Sequence, residues 1–259
     1  MPPVVNGKNC LLGKGKIYLD LLDSTNNWAR TGEIFLGNCT ALEATPSADE
    51  LTMKSSADAA GSVIASAITG AGLGIKITGT EFSPQNVAFA LFGETDLLEE
   101  TGATVSTPEA FDSVTQGRSY KLAHRNVSTV EVTDGDTTTY EVDDDYTVDA
   151  ITGTVYIVVG GAITTASDIE VTYVYATSSY EIARGIIQAS TKAFLRFVGD
   201  PPSGPILEAE FWCVNIRGDG PIGLISDSWG NWSLTGTVES DATNHPDEPH
   251  YRIIKRGEA

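Results

Sequence analysis

Cationic side chains are scarce in this sequence. Sixteen Lys and Arg stand against thirty-five Asp and Glu among 259 residues, a formal net charge of −19. A protein that grips DNA neutralises phosphates with Lys and Arg, and the same residues hold an anionic membrane surface, so both classes are disfavoured. A large negative charge favours solubility. Cysteine is scarce too. Cys10, Cys39 and Cys213 are odd in number and widely spaced, which argues against a disulfide framework and a metal knuckle. Their apolar settings predict buried small hydrophobes. No run is long and apolar enough to span a bilayer as a helix. Met1 to Leu22 lacks the apolar core and cleavage site of a signal peptide, which predicts a product that starts in a cytoplasm.

With three His in the chain, few arrangements for acid–base catalysis can be drawn. His245 and His250 bracket Asp247 and Glu248, donors that suit Zn or Ni. Pro246 and Pro249 prevent a helix that would align them, and a solvated tail is expected. Asp143, Asp144, Asp145 and Asp149 offer clustered carboxylates for a hard cation. They lack the EF-hand glycine and closing glutamate, and a solvated acidic edge is expected. Gly70, Gly72 and Gly74 form G-x-G-x-G ahead of a strand, not the phosphate-cradling G-x-G-x-x-G ahead of a helix. No nucleophile elbow or Cys–His pairing is seen. The chemistry points away from an enzyme, and no cofactor or metal is expected.

What the sequence does have is alternation and turns. Hydrophobic residues make up 41% of it, enough for a real core, and the pattern is mostly period two with frequent Gly, Asn and Asp. Strands are expected at Lys16–Leu22, Glu33 to about Ala44, Leu73–Phe82, Gly185–Phe197, Glu208–Ile216 and Ile222–Asp227. The run Trp232, Leu234, Gly236, Val238 reads as a strand with one buried face. Thr45–Gly74 reads in two ways: a short helix from the capping-box spacing of Ser47 and Glu50, or a mobile small-residue loop leading into a strand at Val63–Thr69. One helix is well signalled: Ser83 offers an N-cap oxygen, Pro84 suits the first turn, and Gly93 can end it. Thr95–Gly117 reads as a linker. From Ser119 to Ser178 a dense run of Thr, Val, Tyr and Asp, with turns at Asp134-Gly135 and Thr152-Gly153, predicts a small separate β domain. Asp241–Ala259 reads as a loosely held tail. The expected fold is all-β with one short α-helix. A discontinuous β-sandwich or barrel domain, 1–118 plus 179–259, is interrupted by a small Ig-like β-sandwich at 119–178.

Read in order, Lys14–Asp20, Gly32–Asn38, Thr80–Gly93 and Glu208–Ser240 resemble the opening, second, strand-to-helix and closing segments of bacteriophage major tail tube proteins. Asp145–Tyr156 resembles small β modules inserted in some of them. The resemblance implies a structural virion protein, made in the bacterial host cytoplasm, that self-assembles into hexameric rings stacked as a tail tube. DNA would pass through the lumen at ejection without specific binding and with no membrane involved. Partners would be other copies and further tail proteins: terminator, tape measure, and tail tip or baseplate. The inserted module would hang outside the tube. On this reading Glu33 and Glu43, which share one phase of the expected second strand, are candidates to face the lumen, together with Asp49, Glu50 and Asp58. The loop carrying Thr45, Pro46, Leu51, Met53 and Lys54 would order on assembly and bridge one ring to the next. The alternative is an adhesin-like or carbohydrate-binding β-sandwich that uses Trp212, Trp229 and Trp232.

Overall fold

A computed structural model describes residues 9–57, 60–187 and 190–256. The chain is mostly β with a single helix, as its alternation predicts. It opens with β1 (Gly15–Asp23), β2 (Ala29–Phe35), β3 (Cys39–Lys54) and β4 (Val63–Gly79), followed by α1 (Pro84–Ala90) and β5 (Glu94–Glu100). Next come β6 (Ala103–Thr104), β7 (Glu109–Val114), β8 (Ser119–Lys121), β9 (Val127–Thr133), β10 (Tyr146–Asp149), β11 (Thr154–Ile157) and β12 (Ser167–Tyr175). The chain returns through β13 (Ser178–Arg184) and closes with β14 (Thr191–Gly199), β15 (Leu207–Gly218), β16 (Trp232–Glu239) and β17 (Tyr251–Lys255).

Two compact units result. The first holds the chain up to Asp96 and from Ala183 onward, and the second is Leu97–Ile182. The second unit is wider than the expected 119–178. Instead of a linker at 95–117 there are strands: β5 pairs β13, while β6 and β7 both pair β12. β5 and β7 are short and interrupted by Glu and Asp, and β6 has two residues, so the segment carries little apolar alternation.

The first unit is an eight-stranded antiparallel sheet in the order β2-β1-β14-β15-β16-β4-β3, with β17 also paired to β15. One face is apolar. Ile17, Leu19, Ile75, Ile77, Leu195, Val214, Trp232 and Leu234 form its core. Trp232 is fully buried, and its indole Nε1 donates to the Glu81 carbonyl at 2.8 Å. Gly79 lies against that ring so closely that a Cβ there would sit 2.2 Å from it. The helix starts as expected, with Ser83 Oγ accepting from Asn86 N at 3.2 Å and Pro84 in the first turn. It ends at Ala90, earlier than Gly93, because Phe92 takes a left-handed φ of 57°. Its buried residues are Asn86, Ala88 and Ala90, and Leu91 and Phe92 remain partly exposed. Asn86 fixes the helix to the core by donating to the carbonyls of Leu36 and Glu81.

The second unit has its own core. A three-stranded sheet (β10-β11-β8) and a four-stranded one (β6-β12-β7, with β9 on β12) enclose Val114, Leu122, Val132, Val155, Ile157, Ile163, Ile169 and Val171. Its Asp-rich loops are pinned by carboxylates. Asp134 accepts the backbone N–H groups of Asp136, Thr137 and Thr138 at 2.9 Å each. Asp145 is buried, not solvated as expected, because it accepts from Glu141 N and Ala162 N.

The C-terminal segment is also tied down, not loose. β17 pairs β15, and Trp212 Nε1 donates to the Glu248 carbonyl at 2.6 Å. His245 stacks flat on Trp212 with ring centroids 3.8 Å apart.

Candidate functional site

The most unusual feature of the first unit is the β3–β4 hairpin. Its base belongs to the sheet, where β16 pairs β4 from Trp232↔Gly79 to Thr237↔Gly74. Beyond Thr45↔Gly74 the two strands have only each other, yet they stay paired to Lys54↔Val63, with register shifts between Asp49 and Glu50 and between Met53 and Lys54. At roughly 3.3 Å per residue this arm reaches about 30 Å past the shared sheet. Residues 43–54 are all exposed, and the arm carries uncovered apolar side chains at Leu51, Met53, Val63, Ile64 and Ile68. An isolated two-stranded ribbon is marginally stable in water. The arm is therefore a surface whose stability depends on what it meets.

The segment expected to be a short helix or a mobile loop is thus a pair of strands. Thr45, Pro46, Leu51, Met53 and Lys54 all lie on β3. Pro46 is tolerated there because β3 is an edge strand and the missing N–H breaks no inner ladder. The glycine motif has a plain structural use. Asp49 and Ser47 lie across from Gly70 and Gly72, and a Cβ at either glycine would come within 3.0 Å and 2.9 Å of their side-chain oxygens.

The five candidate lumen carboxylates separate. Glu33 and Glu43 do not share a strand. The expected Glu33–Ala44 strand breaks at Leu36–Asn38, where Gly37 has φ 75° and would place a Cβ 2.1 Å from the Glu81 carboxylate. Glu33 falls on β2 and Glu43 on β3, at opposite edges of the sheet. Strand alternation puts Glu43 and Asp49 on one face of the hairpin with Leu51 and Met53, and Glu50 on the other. Asp58 lies outside the described residues.

Glu33 belongs to a chain of ion pairs across the polar face of the sheet. Arg196 Nε donates to both Glu33 oxygens, at 3.0 and 3.1 Å, and Arg30 Nη2 to Oε1 at 2.8 Å. Hydrogen bonding from Arg196 holds the Glu33 carboxyl below its ordinary pKa. Arg30 Nε reaches the buried Asp20 at 2.7 Å, and Arg196 Nη1 reaches Glu208 at 3.2 Å. Arg256 also pairs with Glu208, Arg252 bridges Glu210 and Glu248, and Lys192 meets Glu239. Burial pushes the Asp20 carboxyl up, but hydrogen bonds from Arg30, Gly32 and Thr31 outweigh it and hold the group low. This face is a mosaic of balanced charge and not an acidic wall.

Of the tryptophans, Trp212 and Trp232 are buried and offer no open face to a sugar, while Trp229 is 94% exposed. The cysteine expectation divides. Cys10 is exposed, whereas Cys39 is half-buried, and its thiol is pushed up to about 11 by burial and by the nearby Glu81. Among the described residues no His, Cys, Asp and Glu cluster is placed to hold a metal ion, and no helix is long and apolar enough to cross a membrane.

Sequence reasoning missed the arm because neither of its faces is buried. The signal that could have found it is pairing: β-branched and small residues in two runs separated by the turn-forming Ser55–Ser62. A family model described as Protein of unknown function UCP028589 matches residues 10–250. No curated protein matches the chain.

Proposed function

We propose that this chain, which belongs to the UCP028589 family, is a self-assembling structural protein of a bacteriophage tail tube. The observation that carries the reading is the exposed arm together with the two open sheet edges. In the monomer the outer edges of β2 and β3 end the sheet, and such edges invite pairing with another chain. When β2 of one copy pairs with β3 of the next, the contact is head-to-tail and closes into a ring when the rotation permits. A ring closed this way leaves neither β2 nor β3 with a free edge. The hexameric count, the stacking of rings into a tube, the place in the virion tail and the passage of DNA come from the resemblance to tail tube proteins. So do the partners: terminator, tape measure, and tail tip or baseplate. The arm serves as the contact between stacked rings.

Within this reading the polar sheet face lines the lumen. Arg30, Arg196, Lys192 and Arg252 are already engaged by carboxylates, so few cations remain for phosphates, and DNA passes without being held. Glu43 and Asp49 add negative charge on the hairpin. At physiological salt their influence reaches about 8 Å. Electron microscopy of the purified full-length chain tests the proposal. Rings with sixfold symmetry, or tubes of constant diameter, are expected. A population of dispersed monomers, also after addition of tail components of the cognate phage, would refute it.

A further inference from the structure

The arm needs a receiving surface, and the strand register shows where an uncovered apolar one lies. β4 runs from the arm, at Val63, to the far end of the sheet, at Gly79 beside Trp232. The loop between β15 and β16, residues 219–231, therefore sits at the end opposite the arm, as does the passage through α1. Gly230 packs on Phe82, Gly218 on Ala90, and Ile186 N donates to the Leu91 carbonyl. At that end Leu224, Ile225, Trp229, Ile186, Phe92 and Phe82 are exposed, with Ile225 at 99% and Trp229 at 94%. Scattered exposed apolar residues need no explanation, but a group of this size marks an interaction site.

We propose that this apolar end binds the β3–β4 arm of a second copy, with Ile225 and Trp229 as its anchors. The proposal rests on the self-assembly reading and names the surface that the arm meets. Two observations select this occupant. The arm and the apolar end lie at opposite ends of one sheet, so their contact joins two different patches and repeats from copy to copy. The described part of the arm beyond the sheet, residues 45–54 and 63–73, is about the 20–30 residues that one side of a stable interface requires. Charge does not select it: residues 45–73 carry Asp49, Glu50 and Asp58 against Lys54, and the receiving loop carries Asp219 and Asp227 with no cation, so apolar contact must drive the pairing.

Cysteine cross-linking tests this. Met53→Cys and Ile225→Cys are made separately in a Cys10→Ser background, mixed, assembled and treated with a short bis-maleimide. Cross-linked dimers are expected in the mixture at on the order of tenfold over either variant alone. Particles that form normally, as seen by electron microscopy, but give no excess of dimer overturn this inference and leave the tube reading standing. A wild-type chain that never assembles overturns both. As a second measurement, the double variant Ile225→Ser with Trp229→Ser alters only exposed side chains and keeps the wild-type melting temperature. It is expected to need on the order of tenfold more protein for half-assembly, as loss of a hot spot implies. Assembly at an unchanged concentration overturns the inference.

Discussion

The two units handle charge in opposite ways. The second, Leu97–Ile182, holds fifteen Asp and Glu against three Lys and Arg, a net −12, which leaves −7 for the much longer first unit. In the second unit carboxylates fold back on backbone N–H groups, as at Asp134 and Asp145. In the first, carboxylates meet arginines across a sheet face, as at Glu33–Arg196–Glu208. The ion pairs between described residues all fall in this unit. The acidity of the chain is mostly the inserted unit's, a matter of loop geometry and solubility. The unit with open edges sets thirteen Lys and Arg against twenty Asp and Glu. That milder imbalance suits the proposed self-assembly, because like charges repel across a contact between copies.

The comparison can be broken first at the arm. Replacing Ser47–Gly72 with Asn-Gly, which suits a two-residue hairpin turn between Pro46 and Leu73, is expected to abolish assembly at concentrations where the intact chain forms particles. Melting of both units should be unchanged, as calorimetry would read. Core substitutions come next. Trp232→Ala is expected to cost the first unit about 4 kcal/mol, and Ile157→Ala the second about 3 kcal/mol. Because the cores are separate, each should shift one unfolding transition and spare the other.

Asp20→Asn probes the charge mosaic at a smaller scale. Its loss from Arg30, Thr31 and Gly32 is expected to cost about 2 kcal/mol. The pH dependence has a definite sign. Asp20 and Glu33 have folded pKa values below their ordinary 3.8 and 4.5. Their stabilisation is therefore complete above those values and is lost as pH falls through the folded ones. Acid titration of stability should show a shallower fall in the Asp20→Asn variant than in the wild type. The smallest effect is expected from removing Leu97–Ile182 and joining Asp96 to Ala183. Assembly should persist at the same concentration, while the isoelectric point rises from about 4.3.

The features legible in the sequence were those with a buried side or a local signal. Trp232, Leu234 and Val238 alternate because one face of β16 is core, and Ser83-Pro84 announces α1 through its own capping chemistry. The arm was not legible as strands. Its hydrogen bonds are satisfied between β3 and β4 while both faces stay exposed, so no alternation of burial was written into it. The Glu33–Glu43 strand failed at Gly37, whose turn is set by a carboxylate from residue 81, far along the chain. The tail looked loose because its anchors, Trp212–His245 and Arg252–Glu210, join distant segments. At the candidate site, residue identities were legible, but which of them share a face was not. That depends on register and bulges, such as the shift between Asp49 and Glu50.

The chain is proposed to build a larger body from copies of itself, and sedimentation velocity of the full-length protein over a wide concentration range is the decisive test. The 27.4 kDa species is expected to give way, as concentration rises, to a sixfold heavier ring and then to faster, polydisperse stacks. A single 27.4 kDa boundary at every concentration, with tail components of the cognate phage present, would contradict the proposal.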